Sequence, residues 1–285
     1  MNYHKLPALG SSDIKNILQG DRQFLDGRQK EFSTSSTKFG TLCHLILFAP
    51  EKFNDTYAIY TGTKTRAHKE YKEFAEENQA KIIIKQTEAD EARALVKPFN
   101  DVPVLQAAEK EKEMFATIEH MSDELSGTIE LKGKMDAVFI ADDRALILDL
   151  KTGADVIKKW ERSCSELGYY LQEHHYRYIL SQHTGIPLNN VKFVFMLAER
   201  STGYTQLVEL DEFSQEVADF RHSQALSQYL KLLKRVDLSQ AKIADYPRHN
   251  IPAFELNQTI TRGLPNFILA QHERRLANES GTTKH

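Results

Sequence analysis

The first half of the chain carries apolar residues at helical spacing. A helix is predicted in LGSSDIKNIL, where Ser11 or Ser12 can cap it, and another in STKFGTLCHLILF, which contains His44. Residues 65–125 are charged and periodic, which predicts further helices interrupted at the two prolines of that stretch.

From Gly127 the apolar period falls to two, which predicts strands. A helix is predicted from about Trp160, then strands in NVKFVFMLAER and YTQLVEL, then a closing helix to about Leu233. This order predicts an α/β fold with a central mixed β-sheet flanked by helices. We expect one domain over residues 1–257 and a polar tail over residues 258–285.

Two of the predicted strands, in GKMDAVFIADDRALILDLKTG, each hold one aspartate among apolar residues. If Asp142 and Asp143 form the turn, paired positions have a constant sum, and Asp136 lies opposite Asp149. Opposed residues have Cβ atoms about 5 Å apart, so two carboxylates there repel unless a proton or cation lies between them. Hard oxygen ligands at that spacing suit Mg²⁺ or Mn²⁺.

Alternation along the second strand puts Lys151 on the same face as Asp149. A lysine beside metal-binding carboxylates can orient or activate a water, or neutralise charge that develops on a phosphate. The hairpin is therefore typical of a metal-dependent phosphodiester hydrolysis site. Two alternatives stay open: ordinary surface charges on a strand, and a rival pair, Glu130 and Lys132, with the same spacing on the preceding strand.

Composition limits the function only weakly. With 285 residues, 41% of them hydrophobic and 27% charged, the chain has an ordinary globular composition. A net charge of -3 does not indicate a nucleic-acid binder, although it permits a basic groove on an acidic body. Cys43 and Cys164 are too few for a disulfide framework or a four-cysteine metal site, and we expect both to be reduced core thiols. Without a long apolar run or a signal-peptide pattern, the expected location is the cytoplasm.

Four segments in this order, HLILF, KMDAVF, LDLKTG and YLQEHHYRY, resemble the PD-(D/E)XK nuclease superfamily and, within it, the RecE-type exonucleases (exonuclease VIII). The resemblance runs from about Tyr3 to about Pro252 and implies a restriction-endonuclease-like core. Met135 replaces the proline of the superfamily name, and Asp149 replaces the commoner glutamate.

The resemblance implies a role for each matching residue. His44, Asp136 and Asp149 would bind the metal, and Lys151 would be the motif lysine. Gln172 and Tyr176, one helical turn apart, would act with them and face the DNA backbone. The candidate DNA contacts are Ser12, Lys132 and Lys134.

The chemistry of an imidazole ligand adds one expectation. Metal binding through His44 should weaken as the pH falls through its pKa, near 6.5. His174 and His175 are adjacent, are expected to point to different helix faces, and are left out of the site.

The function implied by the resemblance is a Mg²⁺-dependent exonuclease, in which Mn²⁺ can substitute. It would digest linear double-stranded DNA from 5′ to 3′ and leave 3′ single-stranded tails for recombination. Such enzymes are found in phages and prophages, work with a single-strand annealing protein and form homo-oligomeric rings. The alternatives are a structure-specific or restriction-type endonuclease on the same core, and a catalytically inactive nucleic-acid-binding protein.

Overall fold

A computed structural model of the chain describes residue 3 and residues 6–29, 35–122 and 125–236. The polar tail expected at residues 258–285 lies outside this part of the chain, as does the end of the expected domain. No helix within the described ranges is long and apolar enough to cross a membrane.

The described chain begins with helices, and most of its strands lie in the second half. The helices are α1 (Ser11–Gln19), α2 (Asp21–Gln29), α3 (Ser35–Phe48), α4 (Phe53–Thr56), α5 (Lys69–Glu77), α6 (Gln86–Val96), α7 (Pro103–Ala107), α8 (Trp160–Leu167), α9 (Tyr169–Thr184) and α10 (Glu212–Arg235). Short 3₁₀ helices span Pro50–Lys52, Lys97–Asp101 and Leu188–Asn190. The strands are β1 (Tyr57–Tyr60), β2 (Ile82–Lys85), β3 (Glu109–Met121), β4 (Ser126–Ala141), β5 (Arg144–Gly153), β6 (Val191–Glu199) and β7 (Thr205–Val208).

The main sheet has the strand order β3-β4-β5-β6-β7. Its pairs are antiparallel except for β5 with β6, which are parallel and joined by the crossover through α8 and α9. Strands β1 and β2 form a separate parallel pair. The structure therefore confirms the expected mixed sheet flanked by helices.

Two apolar clusters cover the two faces of the main sheet. One contains Ile147 of β5 and Leu171 of α9, and we call this side the α9 face. The other contains Leu148 of β5 and Leu42 of α3, and we call it the α3 face. Strand β5 is apolar on both faces because helices cover both, which explains its nearly continuous apolar sequence.

Three local predictions have clear outcomes. The turn register is confirmed from Ala141 opposite Arg144 to Ala137 opposite Leu148. The predicted cap of α1 is wrong, because the N-cap is Gly10, whose N–H donates to the Asp13 carboxylate at 2.8 Å. The long helix predicted from Trp160 is two helices, α8 and α9, divided at Gly168, whose φ of 74° suits glycine.

The prediction of helices throughout residues 65–125 is wrong in part. Strands β2 and β3 lie there, and β3 is an edge strand of the main sheet. Met114 and Ile118 are its buried apolar anchors. Their spacing of four fits one face of a strand as well as one face of a helix, and the surrounding charges fit either.

Both cysteines are buried and free, as predicted. Burial raises the pKa of the Cys43 thiol to about 12 and that of Cys164 to about 11. Both thiols are therefore protonated and unreactive at neutral pH.

Candidate active site

The site forms where β4 and β5 separate. Their ladder ends at Ala137 and Leu148, one position before Asp136 would face Asp149. The Leu150 N–H donates to Asp136 Oδ2 at 2.8 Å instead of to a backbone carbonyl of β4.

The alternation of β4 also shifts at Asp136. Residues two apart in a regular strand face the same side, yet Met135 packs on the α9 face and Ala137 packs on the α3 face. This shift turns the Asp136 side chain toward the point in the site where residues from the α3 layer and the α9 layer meet.

Helix α3 supplies His44 from one of these layers. Its Nε2 lies 3.0 Å from Asp136 Oδ1 and 3.1 Å from Glu111 Oε1. Burial alone would lower the pKa of His44, but the hydrogen bond and charge of Asp136, with the charges of Glu111 and Asp149, raise it. The expectation of a pKa near 6.5 is therefore corrected upward.

Glu111 is a site residue that sequence reasoning missed. It lies on β3 at the position that register assigns opposite Asp136, where both strands leave the ladder. Its φ of 55° is in the left-handed region, which is unusual for a glutamate. Its Oε2 is paired with the Lys134 ammonium. Recognition of β3 as a strand would have revealed Glu111 by the same register argument that paired the aspartates.

Helix α9 supplies Gln172 from the other layer, where it connects Asp149 and Lys151. The Gln172 Nε2 donates to Asp149 Oδ1 at 2.7 Å, and its Oε1 accepts from Lys151 Nζ at 2.8 Å. Lys151 Nζ also lies 2.5 Å from Asp149 Oδ2. One amide therefore fixes the orientation of both charged side chains.

Burial dominates the electrostatics of this pair. It raises the pKa of Asp149 to about 6, with Lys151 opposing and Asp136 adding to the rise. Burial alone would lower the pKa of Lys151, but Asp149 and its other acidic neighbours raise it. At neutral pH Lys151 is an ammonium and Asp149 a carboxylate.

Aromatic rings line the other side of Lys151. Its Nζ lies 4.5 Å from the centre of the Tyr169 ring and 6.0 Å from that of Phe195. Trp160 stacks on Tyr169 with ring centroids 5.8 Å apart. Ring faces attract an ammonium, so these residues favour the charged form of Lys151.

Tyr176 is buried beside the site but is turned toward α1. Its hydroxyl is hydrogen-bonded to Ser11, and burial raises its pKa. A side chain at Gly133 would place its Cβ 3.2 Å from the Tyr176 ring, so glycine leaves room for the ring. The serine next to the site is thus Ser11, whereas Ser12, the predicted DNA contact, is exposed on the first turn of α1.

The two lysines predicted to contact DNA lie in different surroundings. Lys132 is buried, and its Nζ donates to the carbonyls of Tyr3 at 3.1 Å and Leu6 at 2.8 Å. This position does not favour contact with a phosphate, and it argues against Glu130 and Lys132 as the reactive pair. Lys134 is 37% exposed beside Glu111, at the edge of the site.

His174 and His175 lie outside the site, as expected, but they do not point apart. Both rings pack against His222 of α10, and His175 Nδ1 lies 3.0 Å from His222 Nε2. Burial lowers the pKa of His174 to about 3 and that of His175 to about 4. The three rings form a neutral contact between α9 and α10.

The donor set fits a hard or borderline divalent cation. Carboxylate oxygens and one imidazole meet there. Asp149 Oδ2 and Glu111 Oε1 are buried and make no hydrogen bond of good geometry, although Lys151 Nζ lies 2.5 Å from the first and His44 Nε2 lies 3.1 Å from the second. Among the described residues, no three His, Cys, Asp or Glu side chains are already arranged as ligands around one point. The same carboxylates are instead held by Lys151 and His44.

Comparison with known proteins agrees with this geometry. Residues 10–249 match the family described as a PDDEXK-like domain of unknown function (DUF3799). No curated protein matches the sequence significantly.

A solved structure shows the same fold at low identity, and a second match is weaker. A candidate exonuclease from Eubacterium rectale is 14% identical, with 92% of each chain covered and a TM-score of 0.54. A phage related exonuclease from Haemophilus somnus 129PT is 13% identical, with 81% of this chain and 96% of that chain covered and a TM-score of 0.32.

Proposed function

Because this chain belongs to the PDDEXK-like domain family, we propose that it is a metal-dependent exodeoxyribonuclease of RecE type. It degrades linear double-stranded DNA from 5′ to 3′ and leaves 3′ single-stranded tails for recombination by strand annealing.

One observation carries the proposal. His44, Asp136, Asp149, Lys151 and Gln172 come from distant parts of the sequence and from both helical layers, yet they meet at one place. His44 contacts Asp136, Gln172 contacts both Asp149 and Lys151, and the N–H of Leu150, which lies between those two residues, donates to Asp136. Chance surface charges on a hairpin would not recruit a histidine from α3 and an amide from α9. The set holds an acid pair, a charged lysine and a group that orients them, which phosphodiester hydrolysis requires.

The proposed metal is Mg²⁺, with Mn²⁺ as a substitute. Asp136, Asp149 and His44 would hold it, with Glu111 as a further candidate. When bound, it would supply a polarised phosphate oxygen and a water of lowered pKa. Release of the carboxylates from Lys151 and His44 would make them available as ligands.

The residues themselves divide the remaining work. Lys151 keeps its proton at neutral pH, so it acts by stabilising negative charge on the phosphate rather than as a base. Gln172 holds Lys151 and Asp149 through its two amide contacts, and the Tyr176 hydroxyl connects α9 to α1 through Ser11.

The proposed direction of digestion and the proposed partners depend on the resemblance to RecE-type enzymes. The resemblance implies a 5′ to 3′ direction, a homo-oligomeric ring and a single-strand annealing partner. The name of the Eubacterium rectale protein adds support for exonuclease chemistry on this fold.

The experiment compares two forms of one DNA with the full chain. Linear duplex labelled at the 5′ or the 3′ end, and the same sequence as a closed circle, are incubated with Mg²⁺, Mn²⁺ or EDTA. We expect early release of the 5′ label, an intact circle and no reaction in EDTA. The matched variants are Lys151→Met, expected to be inactive, and Lys192→Met on β6, expected to be active.

Other results would overturn the proposal in distinct ways. Opening of the circle would assign the endonuclease alternative. Early loss of the 3′ label would reverse the polarity. Binding without cleavage in either metal would assign an inactive DNA-binding protein.

A further inference from the structure

The first half of α10 carries an apolar stripe that faces solvent. Phe213 is 73% exposed, Phe220 68% and Val217 40%. At 100° per residue, Val217 lies about 40° to one side of Phe213 and Phe220 about 20° to the other. The three side chains therefore form one line along the helix.

This stripe is separate from the face that packs in the core. Ala218 and His222 are buried, and they lie about 140° and 180° around the helix from Phe213. The first half of α10 is thus buried on one face and apolar on the opposite, exposed face, although one buried face is enough to attach a surface helix to its domain. Two exposed phenylalanines in one line are typical of an interaction surface.

Acidic residues surround the stripe. Those on α10 and in the turn before it are exposed, and they are Glu209, Asp211, Glu212, Glu216 and Asp219. The one arginine on the first half of α10, Arg221, donates to Gln224 at 2.9 Å. This surface would repel DNA phosphates and anionic lipid, and it attracts a cationic partner.

A groove continues from the stripe. It has a volume of about 650 Å³ and lies between the start of α10 and β6, with Phe213, Glu209 and Phe193 in its wall. A concave site beside an apolar line suits one anchoring side chain of a bound segment.

We propose that the acidic apolar surface of α10, formed by Phe213, Val217 and Phe220 with their acidic rim, binds a basic amphipathic segment of a different protein. Apolar side chains of that segment cover the stripe, and its Lys or Arg side chains pair with the rim. The proposal does not depend on the nuclease activity.

A second copy of α10 does not match this surface, because pairing of the stripe with itself would bring two acidic rims together. The basic end of α10 carries Leu233, which is 40% exposed, but Leu233 lies about 200° around the helix from Phe213. An antiparallel pair of α10 helices could not align Leu233 and the stripe along one line. The charge of the rim therefore favours a basic partner of another sequence.

Selection from a random peptide library tests the proposal. Phage-displayed 16-residue peptides are selected on the immobilised full chain and counter-selected on Phe213→Ser/Phe220→Ser. We expect the enriched peptides to be net positive, with apolar residues three or four apart. A labelled copy should bind at least tenfold more weakly to that variant and to Glu209→Lys/Glu216→Lys, and more weakly in high salt.

The matched control is Tyr204→Ser/Leu207→Ser, which removes exposed apolar side chains of the β6–β7 region. It should bind the peptide like wild type, and all variants should keep the wild-type melting temperature and DNA cleavage rate. No enrichment, neutral or acidic peptides, or equal binding to the stripe variant would overturn the proposal. A change from oligomer to monomer in the stripe variant, measured by sedimentation, would assign the surface to a second copy instead.

Discussion

A buried lysine is stable in its charged form only when partners replace the water that it loses. Lys151 has a carboxylate at 2.5 Å, an amide oxygen at 2.8 Å and an aromatic face at 4.5 Å. These contacts keep the ammonium in place and leave it little freedom to move. The residue is thus suited to stabilise charge at one fixed point.

Lys151→Met should remove that charge and keep most of the volume. We expect cleavage to fall by about a hundredfold or more, because preorganised charge stabilisation is lost, while DNA affinity changes little. The pKa of Asp149 should rise further, since Lys151 opposes the effect of burial. Single-turnover kinetics and DNA-binding titrations measure the two effects, and near-normal turnover would contradict the assigned role.

Glu111→Gln tests the residue that sequence reasoning missed. Glu111 is one of the charges that raise the pKa of His44, so the variant should lower that pKa toward the ordinary value. An NMR titration of the imidazole measures the shift. Glu113→Gln, two residues along β3, is the control and should leave the titration of His44 unchanged.

At the scale of elements, α9 serves three surfaces at once. Gln172 faces the active site, His174 and His175 face α10, and Arg177 donates to the Val191 carbonyl of β6 at 2.7 Å. A shift of α9 would therefore disturb the site and the core together. The buried histidines connect this arrangement to pH.

Acid should destabilise the contact between α9 and α10. Burial lowers the pKa values of His174, His175 and His222. Below about pH 6.5 these histidines therefore bind protons in the unfolded chain but stay neutral in the folded chain. The free energy of unfolding should then fall by about 1.4 kcal/mol per pH unit for each such histidine. His44 and Asp149, whose pKa values are raised, act in the opposite direction.

Denaturant unfolding between pH 7 and pH 4 measures this dependence. His222→Phe keeps an aromatic ring without a titrating group, so its stability should fall less steeply with acid, whatever its stability at pH 7. An unchanged slope would show that the histidines do not control acid stability.

The elements also show how far sequence reasoning reached. The hairpin of β4 and β5 was predictable because a two-residue turn fixes register, but the ladder ends one position before Asp136 and Asp149, so their predicted direct pairing is wrong. Strand β3 was not predictable, because Met114 and Ile118 fit a helix equally well. Without that strand, the position of Glu111 opposite Asp136 could not be predicted either. The burial of Lys132 depends on an N-terminal segment whose pairing with β4 no local pattern indicates.

At the scale of the whole molecule, function and stability are opposed. The site brings Asp136 near the buried Asp149, with His44 and Lys151 beside them between the two helical layers. Charges gathered in this way reduce the stability of the fold unless something compensates for them. The net charge of the chain is -3, and distant positive charges are screened, so they offset little of this repulsion.

A divalent cation should therefore stabilise the entire fold. A ligand at a hundred times its Kd adds about 2.7 kcal/mol, which corresponds to a rise of about 5–10 °C in Tm for a domain of this size. Thermal unfolding in Mg²⁺, Mn²⁺ and EDTA measures the gain. This gain in Tm should shrink as the pH falls through the raised pKa of His44 and then that of Asp149, about 6, because protonated ligands do not bind metal.

Asp136→Asn should keep or raise the Tm in EDTA, since it removes the repulsion and still accepts from Leu150, but should lose the gain from metal. His174→Gln, outside the site, should keep that gain. Equal gains in wild type and Asp136→Asn would place the metal elsewhere in the protein.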